Sequence, residues 1–507
     1  MRTAHDTHEP SRVVSRDARS GRPRDWETSA STPGEVDAAV RAAADAAPPL
    51  RDREVRIALL RAAAREIAAD GERIIAAADA ETGLGVPRLE GELARVVAQF
   101  RLFADEVADG GHLGVTIDHA DTGVVPARPD LRRYQVPLGV VAVFAASNFP
   151  LAFSVPGGDT ASAWAAGCPV VVKAHPGHPH TSELCAAALR RAAGRAGLEP
   201  GVLGVVHGFD AGLLLVRHER VAGVGFTGSV AGGRALFDEV AARAVPIPFH
   251  GELGSVNPVV VTEEAAAIRA AEIAEGLAGS VALGLGQFCV KPGVVLVPRG
   301  EDGDELVRLL AGRLAEVPGG ALLTERIRES FVTGVGERTA TPGVTRLVEP
   351  SVDGTAVSAG LLTVDADGFT PLLGEECFGP LAVVVRYGSR AEAEGVLAGL
   401  AGSLTGTVQL GPGELAAGSP WVEVLARSSG RVVVNAWPTG VAVTWAQHHG
   451  GPYPAATSPA TSVGAAAVTR WLRPVVFQNA PASVLPPELR EDNPLGLPRR
   501  VDGAWRY

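Results

Sequence analysis

The spacing of apolar positions along the chain changes near residue 140. Before it, Leu60, Ala63, Ala64 and Ile67 recur at i, i+3, i+4, i+7. That period predicts an amphipathic helix over 51–70, with Gly71 as its C-cap. More helix is expected to about Ala108. Residues 114–136 mix Thr, Asp, Arg and Tyr in loose alternation and read as an extended hairpin projecting from the body. From Val140 onward, short β-branched runs alternate with helical stretches. Val140–Phe144, Val170–Val172, Val202–Val206 and Val221–Phe226 read as strands, and Asp159–Ala166 and Thr181–Arg195 as helices. A second series starts at Asn257–Val261 and continues through Val294–Val297 to Val432–Asn435. Strands alternating with helices predict parallel sheets, the α/β class.

A chain of 507 residues is too long for one core, so two or three domains are expected. The net charge of −11 leaves no basic footprint for nucleic acid. No apolar run reaches the roughly 18 residues that a membrane span needs. Residues 1–31 are polar and lack the apolar stretch of a secretory signal; they are expected to form a loosely ordered tail. Cys168, Cys185, Cys289 and Cys377 are far apart, which argues against a disulfide framework and fits a reducing, cytoplasmic setting. Of the 46 Lys+Arg residues only Lys173 and Lys291 are lysines. In a chain so biased toward arginine, both call for an explanation.

The candidate chemistry centres on Cys289, in Gly284-Leu285-Gly286-Gln287-Phe288-Cys289, and on Glu252, in Gly251-Glu252-Leu253-Gly254. A lone cysteine is ordinarily a small buried hydrophobe, but flanking glycines allow a ligand to approach the backbone closely. A thiolate can add to a carbonyl and later leave, giving covalent catalysis through a thioester. Hydrolysing that thioester needs a base. Glu252, beside apolar and glycine neighbours, is the candidate, with its pKa expected to be raised by desolvation. Asn148, in Ser147-Asn148-Phe149-Pro150, is the candidate donor to a tetrahedral oxyanion, against the ordinary reading of a turn asparagine. Gly225-Phe226-Thr227-Gly228-Ser229 follows a strand and opens a helix, as a phosphate cradle does. Lys173 ends a strand, at the sheet edge where nucleotides bind.

These motifs, in this order and with Glu376-Cys377-Phe378-Gly379-Pro380, resemble the aldehyde dehydrogenase family from about Arg51 to nearly the C-terminus. The resemblance implies two parallel-sheet α/β domains and a small β extension for oligomerisation. Residues 32–113 and 138–251 would bind the dinucleotide, 252–470 would carry catalysis, and 114–137 with 471–507 would form the extension of a homodimer or homotetramer. It implies that Lys173 holds the adenosine ribose, that Gly228 and Ser229 approach the pyrophosphate, and that Glu376 holds the nicotinamide ribose with Phe378 beside it.

NAD-preferring members carry a glutamate where this chain has Pro176. NADP is therefore expected to be accepted and preferred over NAD, with His175, His178 and His180 adding partial positive charge. His178 and His180 are otherwise expected to be exposed loop residues. The stretches Ser154–Ser162 and His448-His449-Gly450-Gly451-Pro452-Tyr453-Pro454 resemble the branch of α-ketoglutarate semialdehyde dehydrogenases and the NADP-linked enzyme of luminous bacteria. That branch places a histidine, here His449, near the nucleophile. The His448–His449 pair has no third or fourth ligand at a sensible spacing, so no metal is expected. Val290 and Trp445 depart from the branch pattern and are expected to border the substrate tunnel. The implied activity is oxidation of an aldehyde to a carboxylate. The leading substrate is α-ketoglutarate semialdehyde; the rivals are a CoA-acylating aldehyde dehydrogenase, one acting on another aldehyde, and a nucleotide-binding homologue without catalysis.

Overall fold

A computed structural model describes residues 11–506. Its first element corrects the expectation of a loose tail. β1 (Arg12–Arg16) and β2 (Pro23–Ser29) pair antiparallel. Every second residue of β2 (Arg24, Trp26, Thr28) faces the body, and Trp26 stacks on His180 with ring centroids 5.2 Å apart. A period of two carried mainly by polar residues was hidden from a hydrophobicity reading. Residues 1–10 of the expected tail lie outside the described residues.

Four helices follow: α1 (Pro33–Asp45), α2 (Arg53–Ala69), α3 (Gly71–Thr82) and α4 (Val86–Asp109). α2 carries the predicted stripe, with Leu60, Ala63, Ala64 and Ile67 all buried. Gly71 does not cap it. Asp70 is the junction and Gly71, which lacks the positive φ of a C-cap glycine, opens α3 at once, with Leu93 of α4 packed over it.

The first α/β layer contains β5 (Val140–Phe144), α5 (Gly158–Ala166), β6 (Val170–Lys173), α6 (Pro179–Arg195), β7 (Leu203–Val206), α7 (Phe209–Arg217), β8 (Val221–Thr227), α8 (Val230–Ala241) and β9 (Phe249–Glu252). The five strands are parallel in the order β7-β6-β5-β8-β9. The chain winds one way from β5 and the other way from β8. The carboxyl ends of these two strands therefore flank a topological switch point, the place where open α/β sheets bind ligands.

The second layer begins with β10 (Val259–Val261), α9 (Glu263–Ala282) and β11 (Val294–Pro298). Its seven-stranded sheet places Leu381–Tyr387 beside β11 and Ser403–Gln409 beside β10, with only the edge strand Thr345–Val348 antiparallel. Both faces are covered, so β10 and β11 are wholly buried apolar runs, while Ser403–Gln409 is as deeply buried but carries Ser, Thr and Gln.

The segment read as a hairpin contains β3 (Val115–Asp118) and β4 (Leu131–Pro137), paired antiparallel. It is not left as a marginal two-stranded unit. Leu472–Gln478 pairs with β4, and Arg499–Val501 with β3, making a five-stranded sheet from this chain's own tail. Among the described residues, no helix is long and apolar enough to cross a membrane.

Candidate active site

The Cys289 loop is a backbone construction. Gly284, Leu285 and Gly286 all have φ between 54° and 67°. Gly286 is obligatory: a Cβ there would lie 2.2 Å from the Gly379 carbonyl oxygen. The loop is pinned from two sides. Asn148, just beyond the end of β5, donates from Nδ2 to the Gln287 carbonyl (3.0 Å). Asn257 donates from Nδ2 to the Cys289 (2.8 Å) and Lys291 (3.0 Å) carbonyls. Asn257 itself has φ +55° and is held by Ser255 and Thr405. The sequence reading treated it only as the start of a strand.

Glu252 ends β9, and its carboxylate is 5% exposed. Oε1 accepts from His449 Nε2 at 3.0 Å, and Oε2 accepts from the Ser462 hydroxyl at 2.7 Å. The same His449 Nε2 lies 3.6 Å from Cys289 Sγ. The three groups converge, with their ligand-type atoms all within 4.8 Å of one another. His449 is positioned by its backbone N–H on Thr461 Oγ1 and its carbonyl on Ser462 N–H, and Phe153 lies 6.4 Å from its ring. Ser462 is a site residue that sequence reasoning missed, since a lone serine in a loop carries no signal of its own. His448 is not part of this group, which brings only His449 together with Cys289 and Glu252.

The electrostatics reverse one expectation. Burial does push Glu252 upward, but the nearby His449, its hydrogen bond and the Ser462 and Cys289 contacts outweigh it, and the carboxyl lies below its ordinary value. The Cys289 thiol is pushed well above its ordinary value by burial and by the negative Glu252 beside it. The pair therefore rests as thiol plus carboxylate.

At the switch point the expected cofactor residues line the carboxyl edge of the first sheet. Gly228 and Ser229 join β8 to α8; Ser229 caps the helix by accepting from the Gly232 N–H. Gly228 N–H donates to the Glu252 carbonyl, linking this turn to the carboxylate strand. Lys173 ends β6, its ammonium 5.0 Å from the Phe209 ring, and desolvation lowers its pKa to about 8. Pro176 is exposed.

The histidines correct the sequence expectation. His178 is fully buried, hydrogen-bonded to the Ala146 carbonyl at 2.8 Å and stacked on His175. Desolvation lowers both, His175 further through His178 and Lys173. His180, half-buried under Trp26, is lowered too. All three are neutral at neutral pH and add no positive charge.

Glu376 sits with Oε2 against Gly254, where a Cβ would come within 2.9 Å. Burial pushes it up to about 7, against the opposing pull of Lys291. Lys291 is 3% exposed and donates to the Cys377 (3.1 Å) and Leu381 (2.7 Å) carbonyls. It thereby ties the Cys289 loop to the Glu376 loop, on which Phe378 is half-buried. Val290 is buried against Leu404 and Ala455, behind Cys289, while Trp445 is 54% exposed.

Three arginines surround this centre, and all three interact electrostatically with Cys289. Arg88 stacks on Phe149 and Phe288 and donates to the Asn148 carbonyl at 2.6 Å. Arg431 is held by the Gly440 and Pro438 carbonyls. Arg95 stacks on Phe153 at 5.5 Å and donates from Nη1 to the Val441 carbonyl, leaving buried Nε and Nη2 without a protein acceptor. It also feels Glu252.

Residues 25–451 match the model of the aldehyde dehydrogenase family. The alpha-ketoglutaric semialdehyde dehydrogenase 2 of Azospirillum brasilense is 46% identical, over 88% of this chain and 87% of its own. The alpha-ketoglutaric semialdehyde dehydrogenase of Acinetobacter baylyi is 39% identical over 86% and 84%. Aldehyde dehydrogenase 21 from Physcomitrella patens, solved with the reaction product succinate, superposes with a TM-score of 0.79 over 94% of this chain and 96% of that one, at 19% identity. The chain belongs to the aldehyde dehydrogenase family.

Proposed function

We propose that this enzyme oxidises α-ketoglutarate semialdehyde to 2-oxoglutarate, with Cys289 as nucleophile and NADP as the preferred acceptor. The observation that carries the substrate is the 46% identity, over nearly the whole chain, to a relative named for that aldehyde. Arg95 supports it. A buried guanidinium with two unpartnered nitrogens, beside the nucleophile, is a receptor for the distal carboxylate of a short keto-acid aldehyde.

The resting thiol must lose its proton as sulfur bonds to the aldehyde carbon. His449 Nε2–H, donated to Glu252 Oε1, lies 3.6 Å from Sγ and steadies the forming thiolate, while the thiol proton passes to water. The carbonyl oxygen becomes an oxyanion, and the Asn148 amide offers its second N–H, since the first is spent on Gln287. When bound, the nicotinamide supplies the two-electron acceptor that turns the thiohemiacetal into a thioester. Lys173, Ser229 and Glu376 are the residues that would hold its dinucleotide, and their donor set fits: a cation and a helix N-terminus at the edge of the first sheet, and a carboxylate from the second layer set against Gly254. Glu252 then removes a proton from water as the water oxygen bonds to the acyl carbon, and the Cys289 sulfur leaves. An ionised, doubly hydrogen-bonded carboxylate at the thioester favours water over CoA as acceptor, because transfer to a thiol cofactor needs no such base.

NADP preference rests on Pro176, where no carboxylate stands to repel a 2′-phosphate. The histidines do not contribute. The five-stranded sheet of β3, β4 and the chain's tail, with its exposed edge, supports a homodimer or homotetramer. The test of the substrate is a kcat/KM series over aldehydes with and without a distal carboxylate. The keto-acid aldehyde is expected to lead by at least about tenfold, or 1.4 kcal/mol in the barrier. Simple aliphatic or aromatic aldehydes leading by that margin would overturn it.

A further inference from the structure

We propose that Cys289, His449 and Glu252 form a zinc-binding site, and that zinc reversibly inhibits this enzyme by blocking the sulfur that must add to the aldehyde. The geometry carries the proposal. Tetrahedral zinc with Zn–S of about 2.3 Å and Zn–N and Zn–O of about 2.0–2.1 Å sets its ligands about 3.6 Å (S···N) and about 3.3 Å (N···O) apart. Here Sγ and Nε2 are 3.6 Å apart, and Nε2 and Oε1 are 3.0 Å apart. The third pair of ligand atoms also lies within 4.8 Å. Thiolate, imidazole and one carboxylate are a borderline-soft donor set that selects zinc over magnesium or calcium, which demand six or more oxygens. Three protein ligands leave the fourth position to water, and a zinc-bound sulfur cannot add to an aldehyde.

The outer partners are uneven. Glu252 is oriented through Oε2 by Ser462. His449 Nδ1, buried, has no hydrogen-bond partner, whereas tightly held zinc histidines donate from that second nitrogen. An incomplete outer shell weakens binding by about 10–100-fold. The site is therefore reversible and inhibitory rather than the seat of a resident ion. Binding replaces the S–H bond with an S–Zn bond and releases that proton to solvent; His449 Nε2 gives up its hydrogen, which moves to the unpartnered Nδ1 by tautomer exchange, and no electron is transferred.

The test uses the full-length protein without cofactor, titrated calorimetrically with zinc chloride in a zinc-buffered solution. One zinc per chain is expected, together with protection of Cys289 from iodoacetamide by peptide mass spectrometry. Reversal by EDTA and inhibition competitive with aldehyde should follow in the assay. Glu252→Gln, close to isosteric, and His449→Phe should each weaken zinc binding by at least about tenfold. Zinc binding of equal strength in wild type and both variants would reduce the effect to a lone thiol and overturn the site. So would a stoichiometry well below one in folded protein. Because the calorimetric arm needs no turnover, it stands even if the substrate assignment fails.

Discussion

His449→Phe should move the pH dependence of turnover, in a direction the structure specifies. In the wild type the Glu252 carboxyl lies below its ordinary value. Its base form is therefore present throughout the neutral range and is lost only as the pH falls through that lowered value. Burial alone would raise it; the charge and hydrogen bond of His449 lead the forces that lower it. Phenylalanine keeps most of the ring volume beside Phe153 but removes the 3.0 Å contact to Oε1. Both partners are almost fully buried, so solvent screens little of the loss. A hydrogen bond to a charged group is worth about 1.5–3 kcal/mol, which moves the acid limb of the kcat profile upward by about one to two pH units. The measurement is kcat for NAD(P)H formation between pH 5 and 9, with thermal unfolding as a control for folding. The variant should lose activity toward acid at a pH where the wild type is still flat. A uniformly lower profile with its acid limb unmoved would refute the claim that His449 holds Glu252 ionised.

Further outcomes follow from the same geometry. Arg95→Leu should lower kcat/KM for α-ketoglutarate semialdehyde by about 10–100-fold, the worth of a charge-assisted hydrogen bond, while a neutral aldehyde of similar length changes little; equal losses on both would remove the receptor role. Pro176→Glu should shift the NADP/NAD ratio of kcat/KM toward NAD, and a wild type strictly specific for NAD would contradict the reading. Lys291→Gln removes a charge that pulls Glu376 down, so dinucleotide binding, followed by tryptophan quenching, should weaken at pH 7 and recover as the pH rises. A binding profile superimposed on that of the wild type would show that Glu376 does not depend on Lys291.

The period of the apolar residues made both parallel sheets legible, because strands covered on both faces favour apolar residues, and β5, β10 and β11 are apolar throughout, as is β6 up to Lys173. The N-terminal hairpin was not legible, since it docks through Arg24, Trp26 and Thr28 rather than through a hydrophobic stripe. In the site, Cys289, Glu252, Asn148 and His449 could be picked out because each sits in a recognisable motif. Their electrostatics could not. Neighbours in sequence suggested desolvation for Glu252, whereas the deciding partners, His449 and Ser462, are 197 and 210 residues away. Likewise the charge state of His175 and His178 depends on their burial at the junction of β6 and α6, which loop-like composition conceals. Ser462, Asn257 and Arg95 act through single contacts made by the fold, and no local pattern marks them.

The central claim is that Cys289 carries the acyl group and that Glu252 releases it to water. The most direct test is to mix Glu252→Gln with α-ketoglutarate semialdehyde and NADP, quench in acid, and map the protein by peptide mass spectrometry alongside the burst of NADPH. Glutamine keeps the shape of the site but cannot accept the water's proton. The expected result is a burst of about one NADPH per chain, then a stall, with the acyl group found on Cys289. Full steady-state turnover in the variant, or an acyl group on any other residue, would contradict the mechanism.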